Sequence, residues 1–146
     1  MATRACLHSL KSGDAMRFKP GLQRTGMLDV EATRQKMEQG GSSFVLPAQR
    51  IVDRASFFEA VRATVPLDPP VVSSGSWDAL ADSLWEGLYT HPARRTAIIW
   101  SNARAMEGFA PVDFETALDV LADVASLLAD CQATRNEPKE VMILVE

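Results

Sequence analysis

Ser76-Trp-Asp-Ala-Leu-Ala-Asp-Ser-Leu-Trp-Glu86 is the stretch from which the rest of the chain is read. At about 100° per residue around a helix axis, Trp77, Leu80, Ala81, Leu84, Trp85 and Leu88 gather in one arc. Asp78, Asp82 and Glu86 fall together beside it, with nothing apolar interrupting them. Ser76 is suited to cap the helix, its hydroxyl accepting from a free backbone N–H of the first turn. Like charges one turn apart cost an isolated helix roughly 0.2–0.5 kcal/mol. Such a row is either an idle solvated face, which every amphipathic helix needs, or one half of a contact with a cation.

Elements on either side of this helix follow from caps and breakers. A short strand is predicted at about 43–46. Ser56-Phe-Phe-Glu59 has the spacing of a capping box and opens a helix to about residue 64, with Phe58, Val61 and Val65 facing inward. Pro66, Pro69 and Pro70 then enforce a loop up to Ser76. After His91-Pro92, residues 96–100 are too apolar for an edge strand facing water and belong in a sheet covered by helices. A helical turn at 102–107 stops at Gly108. Asp113 is expected to cap a long helix over 114–130. Its apolar arc is Phe114, Leu118, Leu121, Val124, Ala125 and Leu128; its polar arc is Glu115, Asp119, Asp123, Ser126 and Asp130. Strands separated by helices imply parallel pairing through right-handed crossovers. No internal repeat, heptad run or low-complexity tract is visible.

The chain has 146 residues, 47% of them hydrophobic, enough for one compact domain with a real core. Its charge is uneven. Residues 1–41 carry seven Lys/Arg against four Asp/Glu, whereas residues 42–146 carry eight against fifteen. The net charge of −4 therefore hides a basic N-terminal extension on an acidic body. The extension, broken by Pro20-Gly21 and closed by Gly40-Gly41, reads as a mobile arm, within which Asp29 is placed to cap a short helix up to Gly40. An acidic body repels phosphate backbones, so direct nucleic-acid binding is disfavoured. Cys6 and Cys131 have neither metal-ligand spacing nor a visible disulfide framework, and are expected to be free thiols in a reducing compartment. No apolar run has transmembrane length and no signal peptide is evident, so the expected location is cytoplasmic, without membrane contact.

The helix also resembles one found in a known family. Trp77-Asp-Ala-Leu-Ala-Asp-Ser-Leu84 is similar to the second helix of the barstar family, intracellular inhibitors of the ribonuclease barnase, with matches at Asp78, Ala79, Leu80, Asp82 and Leu84. Thr96-Ala-Ile-Ile-Trp100 is similar to the family's second strand, Glu140-Val-Met-Ile-Leu-Val145 to its C-terminal strand, and Phe44-Val-Leu-Pro47 stands where the first should be. The resemblance covers about residues 42–146. It implies an α/β fold with a small three-stranded parallel sheet and about four helices, to which residues 1–41 are an added extension.

The resemblance also implies a role. In the family the second acid of this helix lies deepest in the enzyme's active site and the first supports it; those positions fall on Asp82 and Asp78. A supporting acid on the last helix has no secure match, since Asp123 and Asp130 flank the expected place near Ser126. The family's paired Tyr before the helix are Val72 and Ser73 here, and its Trp beside the second Asp is Ala81. Trp77 and Trp85 are aromatic alternatives along the same helix. The candidate partner surface is therefore Ser76, Trp77, Asp78, Asp82, Trp85, Glu86, Asp123 and Asp130.

An enzyme would need more than the chain supplies. His8 lies in the extension and His91 stands beside Pro92 in a loop; no Gly-rich phosphate loop, nucleophile elbow or zinc spacing is present. Asp78 and Asp82, on adjacent turns of a convex surface, are expected to lack the cleft that would raise one carboxyl pKa. The function expected is a ribonuclease inhibitor, an immunity protein against a toxin, needing no cofactor or metal and monomeric when alone. Its partner would be a basic ribonuclease or nuclease toxin domain. A module of the same fold for a basic non-nuclease partner is the alternative.

Overall fold

A computed structural model describes residues 19–26, 29–47, 51–71 and 75–146. Strands β1 (Gly21–Arg24), β2 (Ser42–Val45), β3 (Arg95–Trp100) and β4 (Glu140–Val145) form one parallel sheet in the order β1-β4-β3-β2. Among the described residues there are five helices: α1 (Val30–Met37), α2 (Arg54–Thr64), α3 (Trp77–Thr90), α4 (Arg104–Phe109) and α5 (Pro111–Ala129). The α/β class is as expected. The strand count is not, because β1 adds a fourth strand from within the extension. Four residues that begin on the glycine of the Pro20-Gly21 breaker carry no periodicity. They are a strand because they pair with β4, from Gly21 opposite Met142 to Arg24 opposite Val145.

Alternation along each strand divides the sheet's side chains between two covers. On one face Leu22, Ile143, Ile98 and Phe44 form a rung across all four strands and pack under α2, α3 and α5. Trp100 is fully buried there, its ring 5.1 Å from Phe57 and 5.5 Å from Phe114. On the other face Ala97, Ile99 and Met142, with Val45 and Leu144 beside them, pack against Met37 and Val30 of α1. Cover on both sides is why β3 reads as a continuous apolar run rather than an alternating one.

The extension is joined to the rest at several points. Asp29 caps α1 as the sequence suggested, accepting from the Ala32 N–H at 3.0 Å. Arg24 pairs with Glu107 at 3.2 Å and lies over the Phe114 ring. Gly41, just after α1, runs so close to β3 that a Cβ there would stand 2.5 Å from the Arg95 carbonyl oxygen.

Two helix starts differ from the sequence reading. Asp53, not Ser56, caps α2: its carboxylate accepts from the Ser56 N–H at 2.9 Å, and the Ser56 hydroxyl accepts from the Asp53 N–H at 3.0 Å. Ser56 is thus the third helical residue, and the start moves back so that Phe57 is buried along with Phe58. The long helix begins at Pro111 rather than after Asp113, since Pro needs no N–H partner in a first turn. Asp113 instead pairs with Arg54 at 3.5 Å. Cys131 is buried and disulfide-bonded, against the expectation of two free thiols; Cys6 lies outside the described residues.

Candidate functional site

The acidic helix α3 starts where its sequence says it should. Ser76 Oγ accepts from the Ala79 N–H at 3.3 Å. One flank of α3 is then held by the proline loop. The buried Ser83 hydroxyl donates to the Pro69 carbonyl, and the Asp68 N–H donates to the Ser83 carbonyl at 3.0 Å. At Gly87 the approach is closer still: a Cβ would stand 2.1 Å from the Pro66 carbonyl oxygen. With that flank occupied and Leu80, Leu84 and Leu88 in the core, the acidic arc is left facing outward.

Opposite the loop, α3 runs beside α5, and between them lies a groove of about 500 Å³. Asp82 and Glu86 line it from α3, and Asp123 lines it from α5. Its apolar surface comes from Ala81, Trp85, Val124, Leu127 and Ala133. The convex surface expected around Asp82 is therefore a concave one. Among the described residues none of Asp78, Asp82, Glu86 and Asp123 has a cationic partner; the ion pairs lie elsewhere.

Trp85 forms a braced wall of this groove. Its ring stacks on Tyr89 at 4.7 Å and 21° between planes, and the Tyr89 hydroxyl donates to the Thr134 carbonyl at 2.9 Å. Thr134 is itself fully buried, with its hydroxyl donating to the Asp130 carbonyl at 2.7 Å. The wall is thereby fastened to the turn that follows α5.

The remaining candidates lie outside the groove. Asp78 is exposed in the first turn of α3, one turn before Asp82. Trp77 packs toward α2, 5.0 Å from Phe58 and 5.9 Å from Phe57, with the Arg54 guanidinium over its ring. Arg54 also donates to the Gly75 carbonyl, so with its Asp113 pair it ties the starts of α2, α3 and α5 together. Asp130 closes α5, its carboxylate accepting from the Gln132 N–H at 2.9 Å. Val72 and Ser73 lie outside the described residues. The single-helix reading missed Val124, Leu127 and Ala133 as groove residues. Leu127 carried a signal, being a large apolar residue outside the apolar arc of its own helix.

His91 has a structural position. Its Nδ1 accepts from the Ala93 N–H at 3.1 Å, and its ring meets Phe44 edge-on. Burial first, and the Lys139 charge second, push its pKa below the ordinary value. The Lys139 amine donates to the His91 and Ala93 carbonyls. Among the described residues no group of three or more His, Cys, Asp or Glu is placed to hold a metal ion, and no helix is long and apolar enough to cross a membrane.

Fold and groove define a small α/β domain that presents an acidic helix face beside an apolar cleft. The family model Barstar (barnase inhibitor) matches residues 42–145, and the chain belongs to that family. Comparison with curated proteins and comparison with solved structures each returned no match.

Proposed function

We propose that this chain inhibits a basic ribonuclease by inserting α3 into the enzyme's cationic active site, where Asp82 stands in for a substrate phosphate. The observation that carries the reading is the convergence of Asp82, Glu86 and Asp123 on one groove, with no cationic partner for them among the described residues. An active site built to hold phosphate offers the complementary charge. Asp78 extends the acidic row by one turn, and Asp123, which reaches the groove, takes the supporting role in preference to Asp130, whose carboxylate is engaged in its own turn. An immunity protein guarding a cell against a nuclease toxin is the setting this activity suits.

The test is affinity capture with the full chain from its native cell, followed by an RNA-cleavage assay of whatever basic protein is recovered. A nuclease inhibited at one-to-one stoichiometry, with inhibition relieved by Asp82→Ala, is the expected result. A recovered basic partner without nuclease activity would replace this reading with that of a binding module.

A further inference from the structure

We propose that the groove between α3 and α5 is a socket for one aromatic side chain projecting from the partner's basic surface. The partner's charge is taken from the inhibitor reading; the socket is argued from its own walls. Carboxylates alone would account for a cationic partner, but they do not account for what lies between them. Leu127 is a large apolar residue left 49% exposed, and it lies in a concavity. Beside it the half-buried Trp85 offers ring surface to the groove, and Ala81 leaves the space that a larger residue would fill.

A flat cationic patch laid over this groove would leave Leu127 and Trp85 in water, forgoing roughly 25 cal/mol for each Å² of apolar surface. A single ring inserted between them removes that surface from water. The braced Trp85 wall offers an offset-stacking partner. The rim supplies the rest, because Asp82, Glu86 and Asp123 favour both the positive edge of an aromatic ring and cations flanking it. At about 500 Å³ the groove falls within the roughly 300–1,000 Å³ range of sites that enclose a small ligand. The socket thus makes a distinction that the acidic row cannot. It would select, among basic partners, one that carries a protruding aromatic residue.

The experiment titrates the ¹⁵N-labelled full chain with phenylalaninamide, with glycinamide, which carries the same charge without a ring, and with ethylguanidinium. The readouts are the Trp85 indole and Leu127 amide resonances. Phenylalaninamide is expected to bind there at least about tenfold more tightly than glycinamide, and Ala81→Trp is expected to abolish the difference. Leu127→Asn, a change at a half-exposed position, should reduce it and serves if Ala81→Trp does not fold. Equal responses to the two amides, tighter binding of ethylguanidinium, or a ring preference that survives both substitutions would overturn the socket. No nuclease enters this titration. Its failure leaves the inhibitor reading standing, and failure of the RNA-cleavage assay leaves the titration result standing.

Discussion

Asp82 and Asp123 reach the same groove from helices that lead into different strands, α3 into β3 and α5 into β4. Both helices lie on one face of the sheet because crossovers between parallel neighbours keep one hand. The pairing of these two carboxylates is therefore a property of the sheet order, held from below by β3 and β4 and not by any bond between them.

Replacing either carboxylate should weaken the partner complex while leaving the fold intact, since both side chains are exposed. Stranding a buried cation on the enzyme typically costs about 3–5 kcal/mol, so Asp82→Ala should lower affinity by about two to three orders of magnitude. If Asp82 and Asp123 serve one cation, the double variant should lose less than the two single losses combined. Calorimetric titration of the captured nuclease checks this. Additive losses would assign the two acids to separate cations.

Residues 42–146 are proposed to fold without the extension, but α1 and β1 now define what its removal exposes. Truncation to Ser42 uncovers the face formed by Ala97, Ile99 and Met142, leaves Cys131 as the one cysteine of the chain, without its disulfide, and deletes the buried Met37. Loss of one fully buried side chain of that size is worth roughly 1.5–3 kcal/mol, so the thermal midpoint should fall. Affinity for the partner should not change, because α3 and the groove are on the opposite face of the sheet. A truncation with native stability would show that α1, β1 and the disulfide together contribute little in solution.

Gly87→Ala sets two effects against each other. Alanine favours a helix interior by about 1 kcal/mol over glycine, whereas its methyl would collide with the Pro66 carbonyl at 2.1 Å. Crowding of backbone on backbone typically costs roughly 1–3 kcal/mol, so a net loss of stability in urea unfolding is expected. A gain would mean that the proline loop yields without resistance.

Acidification should destabilise the chain through His91. Its folded pKa lies below the ordinary 6.5, so on acidification the unfolded chain takes up the proton first. Stability from this group is fully present above about 6.5 and is lost as pH falls through that value toward the folded pKa. His91→Asn should flatten the thermal midpoint between pH ~7.5 and ~5.5. Asp53, held low by its Ser56 hydrogen bonds, acts only below its ordinary 3.8 and leaves that window clear.

Much of the fold could be read because local signals agreed with tertiary ones. The apolar run of β3, the Asp29 and Ser76 caps and the arc of α3 each stated their structure in a few neighbouring residues, whereas β4 was expected from the family resemblance. Readings failed where two signals competed. Ser56 and Glu59 match a capping box, but Asp53 three residues earlier makes a better cap and lets Phe57 enter the core. Asp113 has the chemistry of a cap, yet Arg54, distant in sequence, takes it as a partner. The acidic row was legible on one helical wheel. The groove was not, because Leu127 and Val124 become its wall only when α5 is laid against α3.

The pairing of Gly21 with Met142 reaches beyond fold and binding. Without β1, the border of the sheet would be β4, whose Val141-Met-Ile-Leu-Val145 is a five-residue apolar segment of strong β character and no charge. Such a border templates growth by other chains, the first step toward aggregation. β1 replaces it with four residues that follow Pro20, start at a glycine with φ +107° and end on the charged Arg24. Proline, a kinked start and a terminal charge are the features by which sheet edges resist further pairing. In a crowded cell, the N-terminal segment would then act as a guard against self-association, keeping the chain dispersed.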